Sequence, residues 1–154
     1  MSRKHLLIIY HSKSGKNATL AQAVFKGANH KDIDIDVHFM TPVEANYTDL
    51  MWADGIIFGT PENFGYMSGM LKDFFDRTFY EVEGKVDGIP FAIFIGAGTD
   101  GQGALNSIRT ICRGYKFKEV QEPILVVGKV THTIIRKCEE LGMTMAAGLE
   151  CGIF

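Results

Sequence analysis

Short apolar runs alternate with helically spaced ones along the whole chain. Leu6–Tyr10 is a continuous apolar run, the pattern of a strand covered on both faces. Leu20, Ala21, Val24, Phe25 and Ala28 recur at helical spacing and predict a helix over about 17–28. Ile33-Asp34-Ile35-Asp36-Val37-His38-Phe39 alternates strictly, which suits an edge strand with one polar face. Gly55–Gly59 is again a buried run, followed by a helix over about 68–80 that carries Met70, Leu71, Phe74, Phe75 and Phe79. Phe91–Ile95 and Ile124–Val127 predict strands four and five. Leu105, Ile108, Ile111, Cys112 and Tyr115 mark the helix between them, and Ile134, Ile135, Cys138 and Leu141 mark a last one over about 132–145. Between Pro42 and Ala53 the pattern is weak, with at most a short helix near 49–52.

Five strands alternating with helices imply a parallel sheet covered on both faces, an α/β/α three-layer sandwich. The one alternating strand is the second, which places it on an edge in the order 2-1-3-4-5. In such a sheet a ligand lies beyond the carboxyl ends of the strands, where the strand order reverses. The loops after Tyr10, Gly59 and Ile95 are therefore the ones that chemistry should occupy.

The first of these, His11-Ser12-Lys13-Ser14-Gly15-Lys16-Asn17, brings hydroxyls and a glycine to a helix start, where backbone donors receive phosphate. A plain capped turn explains the same residues about as well. It is not a Walker loop, because Tyr10 and Asn17 stand where a glycine and a Ser or Thr are needed. The second, Thr60-Pro61-Glu62-Asn63-Phe64-Gly65-Tyr66-Met67-Ser68-Gly69, sets proline, glycines and aromatics outside the sheet. A planar ligand with polar edges would use backbone N–H groups there, Glu62 or Asn63 for its ring N–H, and Phe64 or Tyr66 for its faces. The third, Gly96-Ala97-Gly98-Thr99-Asp100-Gly101-Gln102-Gly103, has the letters of a dinucleotide fingerprint. That fingerprint belongs in the first βα unit with an acidic residue after the next strand, whereas strand five ends in Gly128-Lys129.

Ser12–Asn17 resembles the S-x-T-G-N-T phosphate loop of flavodoxin-like proteins. Thr60–Gly69 with Leu71-Lys72-Asp73-Phe74-Phe75-Asp76-Arg77 resembles the ring-binding loop and third helix of the FMN-dependent NAD(P)H oxidoreductases of that superfamily. The resemblance runs along essentially the whole chain and implies a flavodoxin-like fold with bound FMN. It implies a phosphate site at Ser12, Ser14, Gly15 and Asn17, with Lys13 and Lys16 in the same loop. Pro61, Glu62, Asn63, Phe64 and Gly65, preceded by Thr60, would lie against the ring. Ala97, Gly98, Thr99, Asp100 and Gly101 would border the ring and ribityl chain. The two lysines depart from flavodoxins that hold phosphate without formal charge, and no partner of the histidine pair usual in the quinone reductases is evident.

Length and composition narrow the function. At 154 residues with 46% apolar and 22% charged residues, the chain is expected to fold as one domain over 1–154. A net charge of −2 gives no footprint for nucleic acid or an anionic membrane, and is milder than the acidic rim of a typical electron carrier. Cys112, Cys138 and Cys151 are too scattered for a disulfide framework or zinc site, and with no leader pattern they suggest the cytoplasm. A receiver domain is excluded because its carboxylates are replaced by Tyr10-His11 and Gly59-Thr60. The expectation is an enzyme that draws electrons from NAD(P)H for a quinone, flavin or similar small acceptor, no side chain acting as acid or base. An electron-carrier flavodoxin with redox partner proteins is the alternative. Phe74, Phe75, Phe79 and Tyr80 serve either the core or contact between copies in a homo-oligomer.

Overall fold

The computed structural model describes residues 2–154. Its elements follow the order β1 (His5–Tyr10), α1 (Lys16–Ala28), β2 (Asp36–Met40), α2 (Tyr47–Trp52), β3 (Gly55–Asn63), β4 (Tyr66–Met67), α3 (Gly69–Val82), β5 (Pro90–Ala97), α4 (Gln102–Tyr115), β6 (Lys118–Glu119), β7 (Ile124–Val127) and α5 (His132–Cys151). The sheet runs β2-β1-β3-β5 and then β6 and β7, both paired with β5, and all these pairings are parallel. This is the expected flavodoxin-like α/β order, with the fifth strand broken in two. Pro90 and Phe91 pair with β6, where Val120 N also donates to Phe91 O, Phe94–Ala97 pair with β7, and 121–123 lie between the two pairings.

β1 is covered on both faces, as its unbroken apolar run predicts: Leu6, Leu7, Ile8 and Ile9 are all fully buried. Each such side chain contributes roughly 1.5–3 kcal/mol on burial. Alternate residues feed two cores. Leu6 and Ile8, with Ile57, Phe94 and Val126, pack under α1 and α5; Leu7 and Ile9, with Ile56, Phe58, Ile93 and Ile95, pack under α2, α3 and α4. Three layers result, with the sheet in the middle.

The sequence expectation fails in places with physical causes. The stretch after Gly59 is not a loop at once, for β3 continues to Asn63 and pairs antiparallel with β4 through Glu62↔Met67 and Asn63↔Tyr66. Pro61 is tolerated inside the strand because β1's pairing with β3 stops at Tyr10↔Gly59, leaving no neighbour for its missing N–H. β2 begins only at Asp36, and its residues are mostly half-buried rather than cleanly two-faced. α5 extends six residues past the expected 145 to Cys151, closed by Gly152 in the left-handed region.

Cys112 and Cys138 are buried and Cys151 is exposed, all as free thiols. Burial raises the Cys138 pKa to about 11 and that of Cys112 well above its ordinary value, so neither is a reactive thiolate. No helix among the described residues is long and apolar enough to cross a membrane.

Candidate functional site

The three loops singled out in the sequence meet at the carboxyl ends of β1, β3 and β5, and side chains tie them together. Asn17 is buried and makes a two-way amide pair with β5: its Nδ2 donates to Gly96 O at 3.1 Å, and Gly96 N donates to its Oδ1 at 2.9 Å. Its side chain is thus spent on joining the first loop to the third, which leaves only its backbone N–H for a ligand. Lys16 crosses the same junction, its Nζ donating to Ala97 O at 3.0 Å. From the second loop, the Glu62 carboxylate accepts from Thr99 Oγ1 at 2.8 Å and from Ala104 N, in the first turn of α4, at 3.1 Å.

Buried hydroxyls support the second loop from below. Thr60 is fully buried; its hydroxyl donates to Pro61 O at 2.8 Å and accepts from Ser68 N at 2.9 Å. Its side chain therefore holds the loop rather than lining a groove. Ser107 Oγ accepts from Met67 N at 3.1 Å, and Ser68 Oγ from Leu71 N at 3.2 Å. Neither Ser68 nor Ser107 was nominated from the sequence. Ser68 had a readable signal as the residue opening α3; Ser107 lies inside α4, and nothing local marks it.

The hairpin tip between β3 and β4 has Phe64 at φ 52° and Gly65 at φ 70°. A two-residue turn with both central residues at positive φ suits glycine or asparagine, not phenylalanine. Phe64 is nonetheless fully exposed, and Tyr66 and Met70 nearby are also exposed. Close contact sets the tip against α4, since a Cβ on Gly103 would fall 2.0 Å from Gly65 O.

Helix starts differ around the molecule. Asn46, Ser68 and Thr131 each cap their helix by accepting a backbone N–H, Ser68 doing so at the end of the second loop. α1 and α4, which begin at the first and third loops, open instead on left-handed glycines, Gly15 and Gly101, without a side-chain cap. α4 is served by neighbours, through Asp100 Oδ1 to Gln102 N and Glu62 to Ala104 N. α1 is not: Thr19 N returns to Gly15 O, but the N–H groups of Lys16, Asn17 and Ala18 have no acceptor among the described residues. With the Ser12 hydroxyl, which accepts from Gly15 N at 3.1 Å, these donors make a candidate cradle for an anion. Lys13, Ser14 and Gly15 are exposed there, as are Gly98, Thr99 and Asp100 across the groove, while Gly101 is buried. His11, at the foot of the cradle, has a buried Nδ1 without a partner, and desolvation lowers its pKa.

A surface cavity of about 560 Å³ lies elsewhere, between the broken edge strand and α5 around Pro123, Leu125, Ile134 and Lys137. It brings none of the three loops together.

Comparison with known proteins bears on the family and the fold. The chain is 34% identical over 150 residues to an NAD(P)H dehydrogenase (quinone) of Acidithiobacillus ferrooxidans, covering 83% of this chain and 71% of that protein. It is 32% identical over 115 residues to a flavodoxin of Aquifex aeolicus, covering 73% of this chain but only 62% of that longer protein. Among solved structures, a flavodoxin from the domain Archaea superposes with a TM-score of 0.83 at 22% identity, covering 94% of this chain and 98% of that one; it shares the fold. The NADPH-dependent FMN reductase family matches residues 38–132, from β2 to the start of α5, and the chain belongs to that family.

Proposed function

We propose that this chain is an FMN-dependent oxidoreductase that takes electrons from NAD(P)H and delivers them to a quinone, a flavin or a similar small acceptor. The observation that carries the reading is the uncapped first turn of α1, whose three N–H groups have no acceptor among the described residues and follow directly on the Ser12–Gly15 loop. The residues present fit FMN: the cradle suits its phosphate, and the wall from Ala97 to Gly101 is free of bulky side chains. A Cβ on Gly98 would meet nothing within 4 Å.

FMN supplies the redox chemistry, accepting two electrons from the pyridine nucleotide and releasing them to the acceptor. The protein's part is placement. Ser12, Ser14 and the backbone N–H groups of Lys16, Asn17 and Ala18 would hold the phosphate beyond the turn at Gly15, whose own N–H donates to Ser12 Oγ at 3.1 Å, and Pro61, Glu62, Asn63, Phe64 and Gly65 would supply the ring wall. Thr60 and Asn17 would keep those segments in register. Lys13 and Asp100 would stand at the rim, and Thr99 and Gly101 would shape the third loop.

A flavodoxin relative keeps the carrier reading as the second one. The test is spectroscopic. The purified protein is expected to bind FMN stoichiometrically and riboflavin more weakly, since the cradle is useless without a phosphate. Under anaerobic conditions, millimolar NADH or NADPH should bleach the bound flavin promptly, and a quinone should restore it. Equal affinity for riboflavin removes the cradle from the site. Bleaching that takes hours with pyridine nucleotide, but is prompt with a flavodoxin reductase, establishes the carrier instead.

A further inference from the structure

Lys16 is the first residue of α1, yet its charge is held on the opposite wall. The side chain reaches 81 residues along the chain to Ala97 O at 3.0 Å, and the residue is half-buried. None of the ion pairs among the described residues includes it. Asn17 locks the same junction through Gly96, so the ammonium is fixed where β5 gives way to the third loop. An ammonium has three donors, and the carbonyl takes one. The remaining two, and an uncompensated positive charge, stay at the junction of the first and third loops.

We propose that Lys16 sets the electron affinity of the cofactor, by holding a positive charge beside the ring rather than on the phosphate. The inference rests on the FMN reading above. The oxidised flavin ring is neutral, and the two-electron-reduced ring carries a negative charge near neutral pH. A cation a few ångströms away favours the charged form, and a half-buried cation is screened less than one in open solvent. The phosphate has the same charge in both redox states. An ammonium acting on it would tighten both states alike and leave their balance unchanged, whereas one at the third-loop wall tightens the reduced state selectively. Lys13, exposed in the same loop and tied to nothing across the groove, is the natural contrast.

The experiment measures FMN affinity and the two-electron midpoint potential for the wild type, Lys16→Gln, Lys16→Arg and Lys13→Gln, with far-ultraviolet circular dichroism as the check on folding. Glutamine removes the charge while keeping an N–H on a side chain one bond shorter, and Lys16→Met, which matches the length of the lysine stem more closely without charge or N–H, is the second neutral variant. Lys16→Gln is expected to weaken reduced FMN relative to oxidised FMN at least tenfold, a fall of about 30 mV in potential. Lys16→Arg should retain most of the wild-type potential, and Lys13→Gln should leave it unmoved. A Lys16→Gln potential equal to wild type overturns the proposal, whether or not overall affinity falls, because the charge then acts on the phosphate or merely braces the loop. Failure of the wild type to bind FMN would overturn the FMN reading and this proposal with it.

Discussion

At the scale of single residues, several polar side chains of the site hold its loop segments together through atoms that face the protein. Asn17 and Thr60 stand in loops the sequence marks, yet both side chains are buried and bonded to protein. Which atoms of a polar residue face a ligand depends on neighbours many positions away, here Gly96 and Ser68, and no local pattern contains them. His11 is another case. Its ring nitrogen is buried without a partner, and desolvation holds its pKa below the ordinary 6.5. As pH falls, the unfolded chain therefore takes up this proton before the folded one does, and stability decreases with it. The contribution is whole above about pH 6.5, is lost as pH falls from there toward the folded-state pKa, and levels off below it. His11→Leu should flatten this part of the acid limb. Urea midpoints of wild type and variant at pH 8 and pH 5 measure it: the variant must gain on the wild type at the lower pH. An equal difference at both would mean that His11 does not titrate in this way.

At the scale of elements, long periodic segments were legible and short paired ones were not. Leu6–Tyr10 and the helices α1, α3 and α4 stand within a few residues of their expected places, because their buried faces repeat often enough to be seen. β4 and β6 have two residues each and exist only because β3 and β5 offer them ladder partners. The β3–β4 hairpin is the informative exception. Its tip places Phe64 in the left-handed region, which costs a residue with a Cβ about 1–2 kcal/mol, and leaves the ring in solvent. A turn selected for stability alone would read Asn-Gly at 64–65. Phe64→Asn should therefore stabilise the protein by about 1 kcal/mol, or about 2–4 °C in Tm. If Phe64 is kept for the flavin or its reaction partner, the same variant should weaken FMN binding or slow bleaching by NAD(P)H. A stability gain with neither functional loss would leave Phe64 without a role in the site.

At the scale of the whole molecule, the candidate phosphate cradle belongs to a helix that is closely packed on its neighbour. α1 lies against α5 with two glycines at the crossing. A Cβ on Gly142 would fall 1.9 Å from Val24 O, and one on Gly27 would fall 1.8 Å from Glu139 O. Such approaches leave no flexible side chain to yield, so a methyl group at either position must push the helices apart. Gly142 is in α5, on the flank of the sheet, whereas the cradle is at the far end of α1 and is held there by Asn17 and Lys16. Displacing α1 as a rigid rod should therefore reach the cradle. Gly142→Ala is expected to destabilise the fold by about 1–3 kcal/mol despite alanine's better helix propensity. It should also weaken FMN more than riboflavin if the first turn of α1 holds the phosphate, which riboflavin lacks. Gly114→Ala is the control: it lies within α4, its Cβ would meet nothing within 4 Å, and it should stabilise by up to about 1 kcal/mol with FMN affinity intact. Thermal melts and parallel FMN and riboflavin titrations of the two variants separate the outcomes. A Gly142→Ala protein that melts lower but binds both flavins as the wild type does would show that α1 yields locally, and that the cradle is anchored by Asn17 and Lys16 alone.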